Sequence, residues 1–137
     1  MVIATAIDVP KELLGIPDID NISFDARRLE VRGLFSHPDQ PEYHISAYCL
    51  FSTCSGFRVL DEGDLLEFWS MDSQPSGWLW QIVSGGWLSQ ELKRDGFFTS
   101  RENGPHWPAP REFLIVGQEY CVSVFAQREP LIWLAEP

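Results

Sequence analysis

Basic residues are scarce in this chain: 10 Lys and Arg stand against 20 Asp and Glu among 137 residues, a formal net charge of −10. A body of that charge repels nucleic acid and anionic membrane and draws basic partners toward it. Long apolar runs are missing too. The longest is a handful of residues, far short of the ~20 that cross a bilayer as a helix. The N-terminal MVIATAIDVPKELL has no basic start, apolar core or small-residue cleavage site of a signal peptide. Cysteine is limited to Cys49, Cys54 and Cys121, an odd number that cannot all pair within one chain. That fits a reducing compartment better than a secreted disulfide framework, so the expected location is the cytoplasm.

What the chain has is aromatics and turn formers. Nine Phe, six Trp and three Tyr are interleaved with ten Gly and ten Pro, which predicts short strands between turns. Leu29, Val31 and Phe35 alternate with Arg28, Glu30 and Arg32, the period of a half-buried strand. A turn through His37, Pro38, Asp39, Gln40 and Pro41 leads into Tyr43 to Phe51, which is apolar on both faces and reads as a central strand. Further strands are expected at Asp64–Ser70, Trp78–Val83, Glu112–Val116, Tyr120–Ala126 and Leu131–Leu134, with a hairpin around Gly117. Phe24, Leu29, Val31, Ile45, Ala47, Phe68, Trp80, Ile82, Ile115, Val122 and Val124 are the expected buried residues. One turn of helix fits Lys11–Gly15 and two fit Leu88–Arg94, which Gly96 would stop. The expected fold is one domain over residues 1–137. It is mainly β, or α+β, with a curved or barrel-like antiparallel sheet and one or two short helices. The loop from Arg101 to Arg111, with three prolines, is the longest irregular segment.

Chemistry-bearing constellations are hard to assemble. Twelve of the 20 acids lie in residues 1–68, against five of the 10 bases. Asp18, Asp20 and Asp25 surround an expected loop, and Asp61, Glu62, Asp64 and Glu67 surround Gly63. Neither group has the D-x-[DN]-x-[DN]-G spacing with a twelfth-position Glu that a calcium loop needs, and solvated acidic turns are far commoner. Cys49, Cys54, Cys121, His37, His44 and His106 do not fall at the tight spacing of a structural zinc site. Cys54 stands in an expected turn, Ser52-Thr53-Cys54-Ser55-Gly56, but the surrounding acid opposes thiolate formation, so a Cys54 nucleophile with His44 as base is disfavoured. No phosphate-binding glycine loop, nucleophile elbow or zincin helix occurs. No metal, no cofactor and no catalytic residues are expected.

One local echo stands out. Ser76-Gly77-Trp78-Leu79-Trp80-Gln81 and Gly85-Gly86-Trp87-Leu88-Ser89-Gln90 share a small-Gly-Trp-Leu-x-Gln pattern. Trp78, Trp80 and Trp87, with Trp107 as a third wall, would make a stacking platform for a sugar or a base. The competing explanation is plain core packing, with Gly where backbones pass closely.

The run REFLIVGQEYCVSVFAQREPLIWL, residues 111–134, resembles the closing hairpin and tail of small immunity proteins encoded beside bacterial polymorphic and contact-dependent toxins. The resemblance implies an acidic, cytoplasmic, single-domain protein without catalytic motifs that neutralises a cognate toxin by binding it; it carries no binding residue onto this chain. Three readings follow. In the first, Asp18, Asp20, Asp25, Asp61, Glu62, Asp64 and Glu67 face a basic protein partner, the active-site face of a toxin such as a nuclease, with Trp107 as an aromatic anchor. In the second, a small β-barrel holds a sugar or other ligand among Trp78, Trp80, Trp87 and Trp107. In the third, an enzyme uses an acid pair such as Glu62 and Glu67, though no general base stands near a nucleophile.

Overall fold

A computed structural model describes residues 2–61, 77–94 and 110–135. Nine strands run through these residues: β1 (Ile3–Ala6), β2 (Asp18–Asp25), β3 (Arg28–Ser36), β4 (His44–Phe51), β5 (Cys54–Asp61), β6 (Leu79–Ser84), β7 (Arg111–Val116), β8 (Tyr120–Ala126) and β9 (Leu131–Leu134). Among the described residues helix is confined to a single 3-10 turn at Lys11–Leu13 and to α1, Trp87–Glu91. All strand pairings are antiparallel. They form a five-stranded sheet of order β1-β6-β7-β8-β5 and a four-stranded sheet of order β2-β3-β4-β9. The mainly-β expectation therefore holds, but the sheets face one another and do not close into a barrel.

The period-2 pattern explains why the sheets meet. Leu29, Val31 and Phe35 of β3 and Ala47, Cys49 and Phe51 of β4 point inward, toward Leu79 of β6, Phe113 and Ile115 of β7, and Val122, Val124 and Ala126 of β8. Rings interlock across the gap: Phe51 lies 5.4 Å from Phe113, and Phe35 meets the edge of Trp78 at 5.1 Å. Each such side chain contributes about 1.5–3 kcal/mol by leaving water. Leu29, Val31, Ala47, Ile82, Ile115, Val122 and Val124 are buried as expected, whereas Ile45 and Trp80 are half-buried. Phe24 departs from expectation at 49% exposed, because β2 is an edge strand; its ring meets Phe57 at 5.4 Å. Phe68, the strand expected at 64–70 and residues 101–109 of the proline-rich loop lie outside the described residues.

The two sheets differ in what covers their outer faces. Leu114, Cys121, Ser123 and Phe125 of the five-stranded sheet are buried although they point away from the core, so β7 and β8 read as continuous apolar runs. Part of the cover is α1, whose Trp87 ring stacks on Phe125 with centroids 3.9 Å apart. The four-stranded sheet alternates instead: β3 is buried at every second residue and otherwise open or half-open. That is the wet-faced arrangement.

Local chemistry sets the connections. Ala26 and Arg27, both at positive φ, form the two-residue turn between β2 and β3, a backbone whose twist suits a hairpin. The expected turn after β3 forms when the His37 ring Nδ1 accepts the N–H groups of Asp39 and Gln40, each at 3.1 Å. The hairpin around Gly117 joins β7 to β8. Two expectations fail here. Residues 18–25 are strand, not loop, and Cys54 is fully buried at the start of β5, not in an open turn.

Candidate functional site

The solvent-facing side of the four-stranded sheet collects the polar and aromatic groups that the core does not use. Register places Asn21, Arg32, Tyr48 and Trp133 in one row across β2, β3, β4 and β9. A register shift between Ile19 and Asn21 inserts Asp20 as an extra residue, and its carboxylate meets Arg32 in a two-pronged pair, Nε to Oδ1 at 2.8 Å and Nη2 to Oδ2 at 2.9 Å. Bulges re-aim a side chain in this way. Asp20, by hydrogen bond and charge, and the Tyr48 hydroxyl together hold the Arg32 guanidinium's pKa above its ordinary value. Beside it the Tyr48 and Trp133 rings stack at 5.4 Å and 21°. Trp133 keeps 39% of its surface exposed.

Acid lies along the β2 side of this face. Asp18 and Asp25 are exposed, and their register partners Leu34 and Arg28 put them on the same side as Arg32. Glu30, opposite Leu50, adds a half-buried carboxylate. Asp61 closes β5 in the other sheet, exposed and paired in register with Tyr120. Glu62, Asp64, Glu67 and Trp107 fall outside the described residues.

The tryptophans of the local echo do not share one wall. Trp78 is buried in the core, where its Nε1 donates to the Leu13 carbonyl at 2.6 Å. Trp80 lies on the opposite face of the five-stranded sheet with Ile82 and Leu114, its Nε1 donating to the Gly77 carbonyl at 3.1 Å. Trp87 rides on α1, donating to Glu91 at 3.1 Å, with the Arg58 guanidinium 4.6 Å over its ring. Strand alternation separates Trp78 from Trp80, and the helix carries Trp87 to Phe125.

The cysteine thiols are buried. Burial drives the Cys49 thiol's pKa far up, and the Cys54 thiol's up, the latter despite its contact with the Gly56 carbonyl at 3.3 Å. Neither favours thiolate. His44 begins β4 and Cys54 follows its end, so roughly seven residues of strand, about 24 Å, lie between them. Among the described residues no group of three or more His, Cys, Asp or Glu is placed to hold a metal ion, and no helix is long and apolar enough to cross a membrane.

Sequence reasoning missed Arg32, Tyr48 and Trp133 as a unit. Alternation alone puts Arg32 and Tyr48 on the outward side of their strands, but the meeting of Tyr48 with Trp133 depends on the β4–β9 register, which leaves no mark on one sequence. Such a face offers Tyr, Trp and Arg, the residue types that anchor protein interfaces. No family model matches this chain, and neither a curated protein nor a solved structure matches it.

Proposed function

We propose that this chain is a non-enzymatic binding protein of the immunity type, which neutralises a cognate bacterial toxin by covering its basic active-site face, as over a nuclease. The observation that carries this reading is the placement of acid. In a chain of net charge −10, Asp18 and Asp25 stand exposed on the open face of the four-stranded sheet, while the Arg32 that shares this face is already held by Asp20. A partner with excess Lys and Arg is steered to that side, and complementary fields of this kind raise encounter rates by roughly 10 to 1,000 fold at low salt. Arg28 stands opposite Asp25 in register, so Asp18 and Glu30 contribute most to the local field. Asp61, at the end of β5 in the other sheet, the acids Glu62, Asp64 and Glu67 that follow it in sequence, and Trp107 are further partner contacts in this reading. The acting compartment is the cytoplasm.

Co-expression tests the reading. The chain is produced with the product of the gene immediately upstream of its own, when that gene encodes a toxin. Restored growth and co-purification of the pair are expected. Failure of both removes the immunity reading and advances binding of a sugar or other small ligand, whose separate test is titration with an oligosaccharide panel monitored by Trp fluorescence.

A further inference from the structure

Sheet edges are where one chain can pair with another, and proteins usually guard them with charge, bulges or cover. Among the described strands four are edges: β1 and β5 in one sheet, β2 and β9 in the other. β2 carries Asp18, Asp20 and Asp25 and a bulge. β5 carries Arg58 and Asp61, has a register shift between Cys54 and Gly56, and packs Phe57 on Phe24. β1 is interrupted between Ile3 and Ala4. Among the described residues β9 has none of these guards. Leu131, Ile132, Trp133 and Leu134 pair with β4 without a shift and carry no charge, and three of them are well exposed: Leu131 at 64%, Leu134 at 40% and Trp133 at 39%.

The backbone of β9 is also oriented for pairing. Ala135 donates its N–H to the Ser46 carbonyl at 2.8 Å. Antiparallel strands turn alternate residues toward each neighbour, so Leu131 and Trp133 address β4, while the N–H and C=O of Ile132 and Leu134 point away from it. We propose that β9 is a dimerisation edge, occupied by the β9 of a second copy of this chain running antiparallel about a two-fold axis at Trp133. In that register Ile132 of each copy exchanges both backbone hydrogen bonds with Leu134 of the other, so every outward group within the strand is used. Shifting the axis to Ile132 would set Leu134 against Pro130, which has no N–H to give.

Charge selects a second copy over a basic partner at this edge. The acids of the four-stranded sheet sit on β2 and, as Glu30, on β3, away from β9, so a basic chain gains little at β9. Joining two sheets edge to edge makes a sheet of order β2-β3-β4-β9-β9-β4-β3-β2. Its acidic ends lie seven strand spacings, about 34 Å, apart, about four screening lengths at physiological salt. Arg128 and Glu129, just before β9, offset each other. The two Trp133 residues become a closely spaced cross-strand pair on the open face, with Cα atoms about 4.5 Å apart, extending the Tyr48–Trp133 stack into a ladder of four rings. Two four-residue edges make a small interface, so the dimer is expected to dissociate on the order of 10 μM. It leaves both β2 edges free and does not depend on the immunity reading.

Sedimentation of the full chain from about 5 to about 200 μM tests the assembly, because a weak dimer must follow mass action. The mass should climb from 15.7 kDa toward twice that value. Trp133→Lys sets two ammonium groups against each other and should weaken association about tenfold or more with an unchanged circular dichroism spectrum. Trp133→Cys tests the register: its Cα spacing suits a disulfide, so mild oxidation should yield a covalent dimer, whereas Leu131→Cys should give none. The native cysteines are buried and should not compete. A chain that stays monomeric throughout with no Trp133→Cys cross-link overturns the proposal, as does a dimer that cross-links through Leu131→Cys instead.

Discussion

The Glu112 carboxylate, buried in β7, accepts the backbone N–H of Trp87 at 3.1 Å. Its other oxygen takes the N–H of Leu88 at 2.8 Å, so one side chain satisfies two of the donors that open α1. A five-residue helix does not hold itself together in water. This contact and the Trp87–Phe125 stack pin α1 to the sheet, and Gly86 makes the approach possible.

Burial raises the Glu112 pKa, the backbone hydrogen bonds from Leu88 and Trp87 and the charge of Arg58 opposing it only in part. The folded state thus holds the proton more tightly than the unfolded chain. The Glu112 contribution to stability is full below the ordinary Glu pKa of about 4.3 and is lost as pH rises through the higher folded value. Thermal melts of the native chain and of Glu112→Gln from about pH 4 to about pH 8 should therefore show the native protein losing ground to the variant as pH rises. A native protein that gains ground across that range contradicts the assignment.

A methyl group at Gly86 would stand 2.7 Å from Ile82 Cγ2 and 2.8 Å from Glu112 Oε1. Gly86→Ala should cost about 1–3 kcal/mol by overpacking, read as a lower denaturant midpoint. Trp fluorescence should shift with it as Trp87 leaves Phe125. An unchanged midpoint would mean that α1 stands off the sheet.

Gly117 and Gly15 make a matched pair. A Cβ at Gly117 would meet the Tyr120 carbonyl oxygen at 2.5 Å and Ile19 Cδ1 at 2.7 Å, whereas Gly15 has nothing within 4 Å. Gly117→Ala should destabilise by about 1–3 kcal/mol, and Gly15→Ala should be neutral or stabilise by up to about 1 kcal/mol through the unfolded chain. Equal effects at the two sites would place the β7–β8 hairpin elsewhere.

Val122 faces the inter-sheet core with no exposed surface. Val122→Asp buries a charge with no partner, and no folded species should remain by circular dichroism or by chemical-shift dispersion. A soluble, folded variant would refute the inward assignment of β8.

Much of this architecture was legible in the sequence wherever strand chemistry was unmixed. Leu29, Val31 and Phe35 announced β3, the doubly apolar 43–51 run announced an interior strand, and Gly117 marked its hairpin. The failures share a cause. Asp18, Asp20 and Asp25 look like a turn, yet outward charges are what an edge strand carries to avoid pairing. Ser55 and Gly56 look like a turn as well, but the register shift beside them lets β5 continue. The Tyr48–Trp133 stack was not legible, because it is made by strand register between segments distant in sequence.

The central claim is that acid on the open face of the four-stranded sheet recruits a basic partner. The most direct measurement is the association rate with the proposed basic partner across ionic strength, for the native chain and for Asp18→Lys combined with Glu30→Lys. The native rate should fall steeply with added salt. The double variant should associate several-fold more slowly at low salt while its dissociation rate stays nearly constant, since rim charge acts on approach more than on residence. A native rate insensitive to salt and unmoved by the charge reversal would contradict the account.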